Sequence, residues 1–204
     1  MLVRSKNRSF SNQQRATFSI KPPALETIHT FPPLASINLA TPANMPWTAV
    51  KLRSRISTAF RAEGLDPERY LRATPWLPRR QFLSFLEEMD IYLDCPAFSG
   101  YTTAWQALHC GLPIITLEGQ YLRQRLAAGL LRQVGATDGI ALSREQYVAM
   151  AVGWANECRD ADRWAARRVE LRRAAPRADG NRSAILTFQQ KLREAFQEQN
   201  LGNV

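Results

Sequence analysis

"CPAFSGYTTAWQALHCGLPIIT" (Cys95–Thr116) follows the short apolar run "DIYLDC" (90–95) and ends inside another, "LPIITL" (112–117). The second run is β-branched and apolar on both faces, the pattern of a strand buried between two helix layers. Between the runs, Thr102–Cys110 reads as a helix closed by Gly111, the residue type that ends helices in a left-handed turn. Strand, loop, helix and strand in succession make the unit of a parallel sheet. Gly100, Tyr101, Thr102 and Thr103 fall where the first strand hands over to the helix. In open parallel sheets, ligands bind at the carboxyl ends of strands. The first N–H groups of a helix have no internal partners and carry partial positive charge. Gly100 lets the backbone approach a ligand closely, and two hydroxyls add donors at the same point. Such a turn suits a diphosphate. It is also what an ordinary helix start looks like, with Thr102 as the cap, and the local residues leave both readings open.

The same alternation continues on both sides. Residues 48–62 carry Val50, Leu52, Ile56 and Phe60 at helical spacing and end at Gly64. "YLRAT" (70–74) is a short strand, and "PRRQFLSFLEEM" (78–89) a helix with proline at its start. Residues 120–134 predict a helix with Leu122, Leu126 and Leu130 on one stripe, followed by a weak fourth strand, "DGIAL" (138–142). Ser143 with Gln146 three residues later forms a capping box for a helix through Cys158. Two Arg-rich helices follow, near 160–175 and 183–198, separated by "PRADGN". The expected fold is α/β: a Rossmann-like parallel sheet with helices on both faces and a helical C-terminal tail. Four strands are fewer than a full doubly wound nucleotide domain uses.

Six prolines between residues 21 and 47 forbid regular structure there, so a boundary is expected near residue 46. Residues 1–45 then form a basic, Pro-rich, irregular arm and residues 46–204 the folded lobe. The net charge of +9 divides unevenly. Residues 1–64 hold nine Lys and Arg against Glu26 and Glu63, whereas residues 65–204 hold eighteen against sixteen acids. The arm has the composition of a transit peptide, or of a segment that holds phosphate-rich polymers nonspecifically. Because the basicity lies outside the folded part, nucleic acid is not the expected partner. Three cysteines without a C-x-x-C suit a reducing compartment, and a cytoplasmic location is expected. Two histidines at these spacings build no zinc site, and no apolar run is long enough to span a bilayer.

From Leu65 to Phe196 the chain resembles the C-terminal half of the O-linked N-acetylglucosaminyltransferase family, which includes the plant SPINDLY proteins. The residues that carry the likeness are "DIYLD" (90–94), "GYTTAWQAL" (100–108), "GLPIITLEG" (111–119), "YLRQRLAA" (121–128) and "LRQVG" (131–135). The resemblance implies one incomplete lobe of a GT-B glycosyltransferase, the lobe that holds UDP. It implies a UDP-sugar donor, UDP-GlcNAc in the family, and neither a metal nor another cofactor. Partners would be a protein acceptor, or a chain that supplies the missing lobe with its acceptor contacts and base.

By the same resemblance, Thr102 and Thr103 fall where the family's His-Thr-Thr contacts the diphosphate, with Tyr101 in place of the histidine and Gly100 before it. Gln106 stands where an acid usually bonds the ribose hydroxyls; its alternative is an exposed polar residue on the helix. "TPWLPRRQF" (74–82) matches the segment beside the uracil, placing Leu77 and Arg79 at the site, with Arg79 where lysine is common and Phe82 where histidine is common. Arg79 offers charge to a phosphate or is simply solvated. Arg125 reaches the cleft or pairs with an acid. An upstream lysine of the family has its nearest counterpart in "SINLATP" (36–42), where Thr41 stands instead. No catalytic residue carries over: His109 reads as packed or paired with its helix end, and Cys95 has no activating neighbour in sequence. Two functions follow. One is a UDP-sugar-dependent protein O-glycosyltransferase-type domain with weak or no activity alone. The other is a noncatalytic interaction module that keeps the fold without the chemistry.

Overall fold

The computed structural model describes residues 2–4, 36–40, 46–180 and 182–201. Its six strands are β1 (Leu2–Arg4), β2 (Ser36–Ala40), β3 (Leu71–Thr74), β4 (Ile91–Leu93), β5 (Ile114–Leu117) and β6 (Ile140–Ala141). They form one sheet in the order β3-β2-β1-β4-β5-β6. β2 pairs parallel to β3, and β4, β5 and β6 are parallel in turn; β1 is antiparallel to both its neighbours. Every strand but β1 therefore points its carboxyl end to the same edge.

All four expected strands are present. Two more strands, β1 and β2, lie in the segment expected to be an irregular arm, and the antiparallel β1 makes the sheet mixed rather than purely parallel. β1 is built from apolar Leu2 and Val3, and pairs through Leu2 with Asn38 on one side and Tyr92 on the other. Such short strands owe their existence to long-range neighbours, which local pattern does not report. The rest of the expected arm, residues 5–35 and 41–45, lies outside the described residues, and Thr41 with it.

Period-two alternation distributes the strand side chains between two cores. Leu2, Tyr92 and Ile114 face one side, where they meet α3 (Arg79–Glu88), α4 (Thr102–His109) and α5 (Leu126–Val134) through Phe85, Leu86, Ala104, Leu108 and Leu131. Val3, Ile91, Leu93 and Ile115 face the other, against Trp154 and Ala155 of α6 (Arg144–Glu157) and Trp164 of α7 (Ala161–Ala174). Apolar residues on both faces of each strand are thus explained by helices on both faces.

One helix begins later than its stripe predicts. Residues Leu122–Gln124 form a 3-10 turn, and α5 starts at Leu126. Leu122 is 79% exposed; the buried stripe is Ala127, Leu130, Leu131 and Val134. Helix α1 (Pro46–Ala62) and the short α2 (Pro67–Tyr70) are tied by Arg53 Nη2, which donates to both Glu68 carboxylate oxygens at 2.9 and 2.7 Å.

The Arg-rich character of α7 has a structural cause. Arg168 donates to the carbonyls of Met89 and, at 2.8 Å, Glu87 at the end of α3. Arg172 donates to Cys110 O at 2.7 Å at the end of α4, and Arg177, just past α7, to Val134 O at 3.3 Å at the end of α5. The last carbonyls of a helix lack internal partners and carry partial negative charge, so guanidinium groups both satisfy and stabilise them. Gly111 (φ +65°) turns the chain out of α4, and a Cβ there would lie 2.7 Å from Arg168 O. The final helix, α8 (Arg182–Leu201), is exposed at its described side chains except the half-buried Glu194. Among the described residues no helix is long and apolar enough to cross a membrane.

Candidate functional site

The site edge is built by the loops that leave β3, β4, β5 and β6. After β4, Asp94 is 2% exposed and its carboxylate organises the loop that follows. Oδ2 accepts from Ser99 Oγ at 2.6 Å and from Thr116 Oγ1 of β5 at 2.7 Å; Oδ1 accepts from Gly100 N at 2.8 Å. Tyr147 of α6 donates its hydroxyl to Asp94 O at 2.7 Å. Ser99 Oγ in turn accepts from Ala127 N, at 2.9 Å, in the first turn of α5. Burial, reinforced by the charge of Asp94, raises the pKa of both Tyr92 and Tyr147.

The loop delivers the chain to α4. Tyr101 occupies the cap position and is 56% exposed; Thr102 is the first helical residue and exposed, and Thr103 is half-buried. The expectation that Thr102 caps the helix is therefore corrected by one residue. Trp105 N makes the first intrahelical bond, to Tyr101 O at 2.8 Å. Asp66 closes the start of α2, Ser143 that of α6 and Asp160 that of α7 with their own side chains, while α5, whose cap residue Arg125 makes no such bond, takes Ser99. Neither Pro78 at the start of α3 nor Tyr101 at the start of α4 makes a side-chain cap bond. Each of these helices is the first element after the loop that leaves a strand's carboxyl end, and the leading amides of a helix so placed are groups that suit an anion.

The remaining sequence-predicted residues divide. Gln106 is half-buried one turn into α4. Arg79 is exposed at the start of α3. Leu77 is 7% exposed and packs in the core, so its side chain supports the segment from beneath. Phe82 likewise packs against the core, 6.4 Å from the Phe85 ring. Sheet order sets the end of β3 three strand spacings, about 14 Å, from the end of β4, so the two predicted segments share an edge without being strand neighbours.

Arg125 resolves toward the acid: its Nε lies 2.9 Å from Glu118 Oε1, and Arg132 holds the same carboxylate at 2.8 and 2.5 Å. These hydrogen bonds, that of Arg132 foremost, pull the Glu118 carboxyl down to about 2. His109 lies at the far end of α4, where its ring packs at a tilt against Trp105, centroids 4.3 Å apart, and its Nε2 lies 3.3 Å from Asp179 Oδ1. Trp105 Nε1 donates to that same oxygen at 2.7 Å. His109 is a packed, paired residue, one helix length away from Thr102.

Local patterns did not single out Asp94, Ser99, Thr116 or Tyr147. One signal was available: a carboxylate at the end of an apolar strand and a hydroxyl inside "LPIITL" are both polar groups in positions that become buried. The same edge also exposes Trp76, Phe98, Tyr101, Tyr121, Leu122 and Leu142, each in a loop that follows a strand.

The family model of Glycosyl transferase family 41 matches residues 53–182, more than half of the chain. The chain belongs to glycosyl transferase family 41. Within the family it is 26% identical over 135 residues to a probable UDP-N-acetylglucosamine–peptide N-acetylglucosaminyltransferase SPINDLY of Petunia hybrida, a match covering 66% of this chain and 14% of that protein. It is 30% identical over 89 residues to a UDP-N-acetylglucosamine–peptide N-acetylglucosaminyltransferase of Caenorhabditis elegans, covering 44% of this chain and 8% of the relative. Among solved structures it resembles an O-GlcNAc transferase mutant, K341M, of Thermobaculum terrenum, with a TM-score of 0.57 and 29% identity over 72% of this chain and 27% of that one. The family 41 lobe seen here thus spans only a small part of its relatives' length.

Proposed function

We propose that this chain is the nucleotide-sugar-binding lobe of a UDP-sugar-dependent protein O-glycosyltransferase, with UDP-GlcNAc as donor. The observation that carries the reading is the start of α4, exposed at the carboxyl edge of the sheet and left without a side-chain cap. In the transfer, an acceptor hydroxyl attacks the anomeric carbon, the bond from that carbon to the diphosphate oxygen breaks, and negative charge grows on UDP. The amides of Thr102–Ala104 and the two threonine hydroxyls would stabilise that charge, and they act more strongly the more charge has moved. Arg79 would add a guanidinium to the diphosphate. No metal is invoked. The exposed apolar rim around the edge suits contact with a second lobe, which would bring the acceptor and the base; turnover by this chain alone is expected to be slight.

The three free cysteines, two of them buried, favour a cytoplasmic setting. A second reading, an interaction module without chemistry, is favoured by Arg125 being committed to Glu118 and by Phe82 packing against the core. Isothermal titration of the whole chain with UDP and UDP-GlcNAc decides between them. Heat of binding that disappears in Thr102→Ala/Thr103→Ala is the expected result. Silence at millimolar nucleotide would remove the transferase reading.

A further inference from the structure

We infer that Asp94 is the positioning residue of the diphosphate site: its buried carboxylate fixes Gly100 and so aims the open start of α4. The inference rests on the function proposed above and deepens it, because Asp94 itself touches no ligand.

Three features carry it. The first is that the carboxylate is buried and its three direct donors, two hydroxyls and an amide, are all neutral. Taking a charge out of water is unfavourable, and a neutral residue of similar volume often serves stability as well or better. A charge kept in such a place is therefore better explained by the geometry it imposes. The second is where its donors come from. Ser99 and Gly100 belong to the loop and Thr116 to β5, while Ser99 relays the contact to Ala127 at the start of α5. A carboxylate accepts only. It therefore forces the Ser99 hydroxyl to donate inward, leaving a lone pair for the α5 amide. One group thus sets the positions of two helix starts.

The third is that Gly100 is bonded at one point and has no room for a side chain at another. Its N–H is bonded to Asp94, and a Cβ on it would lie 2.6 Å from the Tyr92 hydroxyl. The residue two positions before Thr102 is thereby fixed in both orientation and depth. The amides that follow inherit that setting, and a displacement of a few tenths of an ångström moves all of them together against a diphosphate.

An asparagine keeps the shape but cannot accept from both hydroxyls on one side while accepting from Gly100 on the other. Asp94→Asn is therefore expected to loosen the loop without emptying the core. The test measures UDP and uridine separately, by calorimetry and by ligand-observed NMR, on the full chain. Uridine reports the base and ribose contacts, and UDP adds the diphosphate. Asp94→Asn should weaken UDP binding by about tenfold, 1.4 kcal/mol, while uridine binding changes less than about twofold. Thr116→Ser, which keeps the donor, should bind UDP as the unaltered chain does, and Thr116→Val should follow Asp94→Asn.

If Asp94→Asn fails to fold, Thr116→Val and Ser99→Ala, each removing one donor, are judged by the same UDP-to-uridine comparison. Parallel loss of both ligands, or undiminished UDP binding in the folded variants, overturns the inference alone. An unaltered chain that binds no UDP overturns the proposed function and this inference with it.

Discussion

Gly100→Ala measures how closely the loop is fitted to the core beneath it. Gly100 is not among the glycines with positive φ, so its backbone accepts alanine, and the obstacle is space alone. A Cβ there meets the Tyr92 hydroxyl oxygen at 2.6 Å, and the next atoms, Asp94 Oδ1 and Tyr92 Cζ, only at 3.6 and 3.8 Å. The first distance demands a shift, whereas the other two are ordinary contacts. Tyr92 is buried and its rigid ring has little room to tilt, so overpacking should cost about 1–3 kcal/mol. Alanine also restricts the unfolded chain, returning about 0.4–1 kcal/mol, which leaves a net loss of about 1–2 kcal/mol. Tyr92→Phe removes the one offending atom. In that background Gly100→Ala should be neutral to stabilising by up to about 1 kcal/mol, a coupling of about 1–3 kcal/mol between the two positions. Urea unfolding of the four proteins, followed by tryptophan fluorescence and circular dichroism, gives the cycle. A coupling below about 0.5 kcal/mol would refute the claim that Tyr92 sets the depth of the loop.

Glu118 ionises near 2 in the folded chain against 4.5 ordinarily, so the stability it lends is complete above about pH 4.5 and lost as pH falls toward 2. Glu118→Gln should therefore flatten the acid limb between those values in a melting-temperature profile, and an unchanged limb would count against the Arg125–Glu118–Arg132 cluster. Arg168→Met takes a charged donor from the carbonyls of Glu87 and Met89 and should cost about 1.5–3 kcal/mol in urea unfolding; a change under about 0.5 kcal/mol would show the α3 end needs no such cap. Of the three thiols only Cys95 is exposed, while burial raises the pKa of Cys110 and Cys158. One thiol should react quickly with a disulfide reagent in the folded chain and two only on unfolding, and a second fast thiol would contradict the core as described.

What could be read from sequence follows from how local each cause is. β4 and β5 were legible because their apolar runs are flanked by turn residues, and α4 because Gly111 ends it. β1 was not, because three residues become a strand only when Asn38 and Tyr92 lie on either side. The stripe drawn through Leu122 failed for a related reason: the Gln124 side chain accepts from Tyr121 N, and a 3-10 turn replaces the first helical turn. At the candidate site, the loop-to-helix turn Gly100–Thr103 could be read because it is contiguous. The network beneath it joins Asp94 to Thr116 and Tyr147, 22 and 53 residues away, and no window of sequence contains it. Arg125 stayed open for the opposite reason, as either of two nearby demands could claim it until the position of Glu118 was known.

The distribution of helix ends argues for where the ligand goes. At the edge of the sheet away from the candidate site, the carbonyl ends of α3, α4 and α5 all receive guanidinium groups from the Arg168–Arg177 stretch, so that edge supplies its own counter-charge. At the other edge, α5 takes Ser99 and α6 takes Ser143, whereas Pro78 and Tyr101, at the starts of α3 and α4, make no side-chain cap bond. Unsatisfied helix starts in an exposed position are left to solvent or to an anion. Solvent alone would not explain why the α4 start is aimed by a buried carboxylate and fitted to a tyrosine hydroxyl, since water accepts many geometries. An anion of fixed shape does not, and under the function proposed above a diphosphate is the ligand for which that precision would have a purpose.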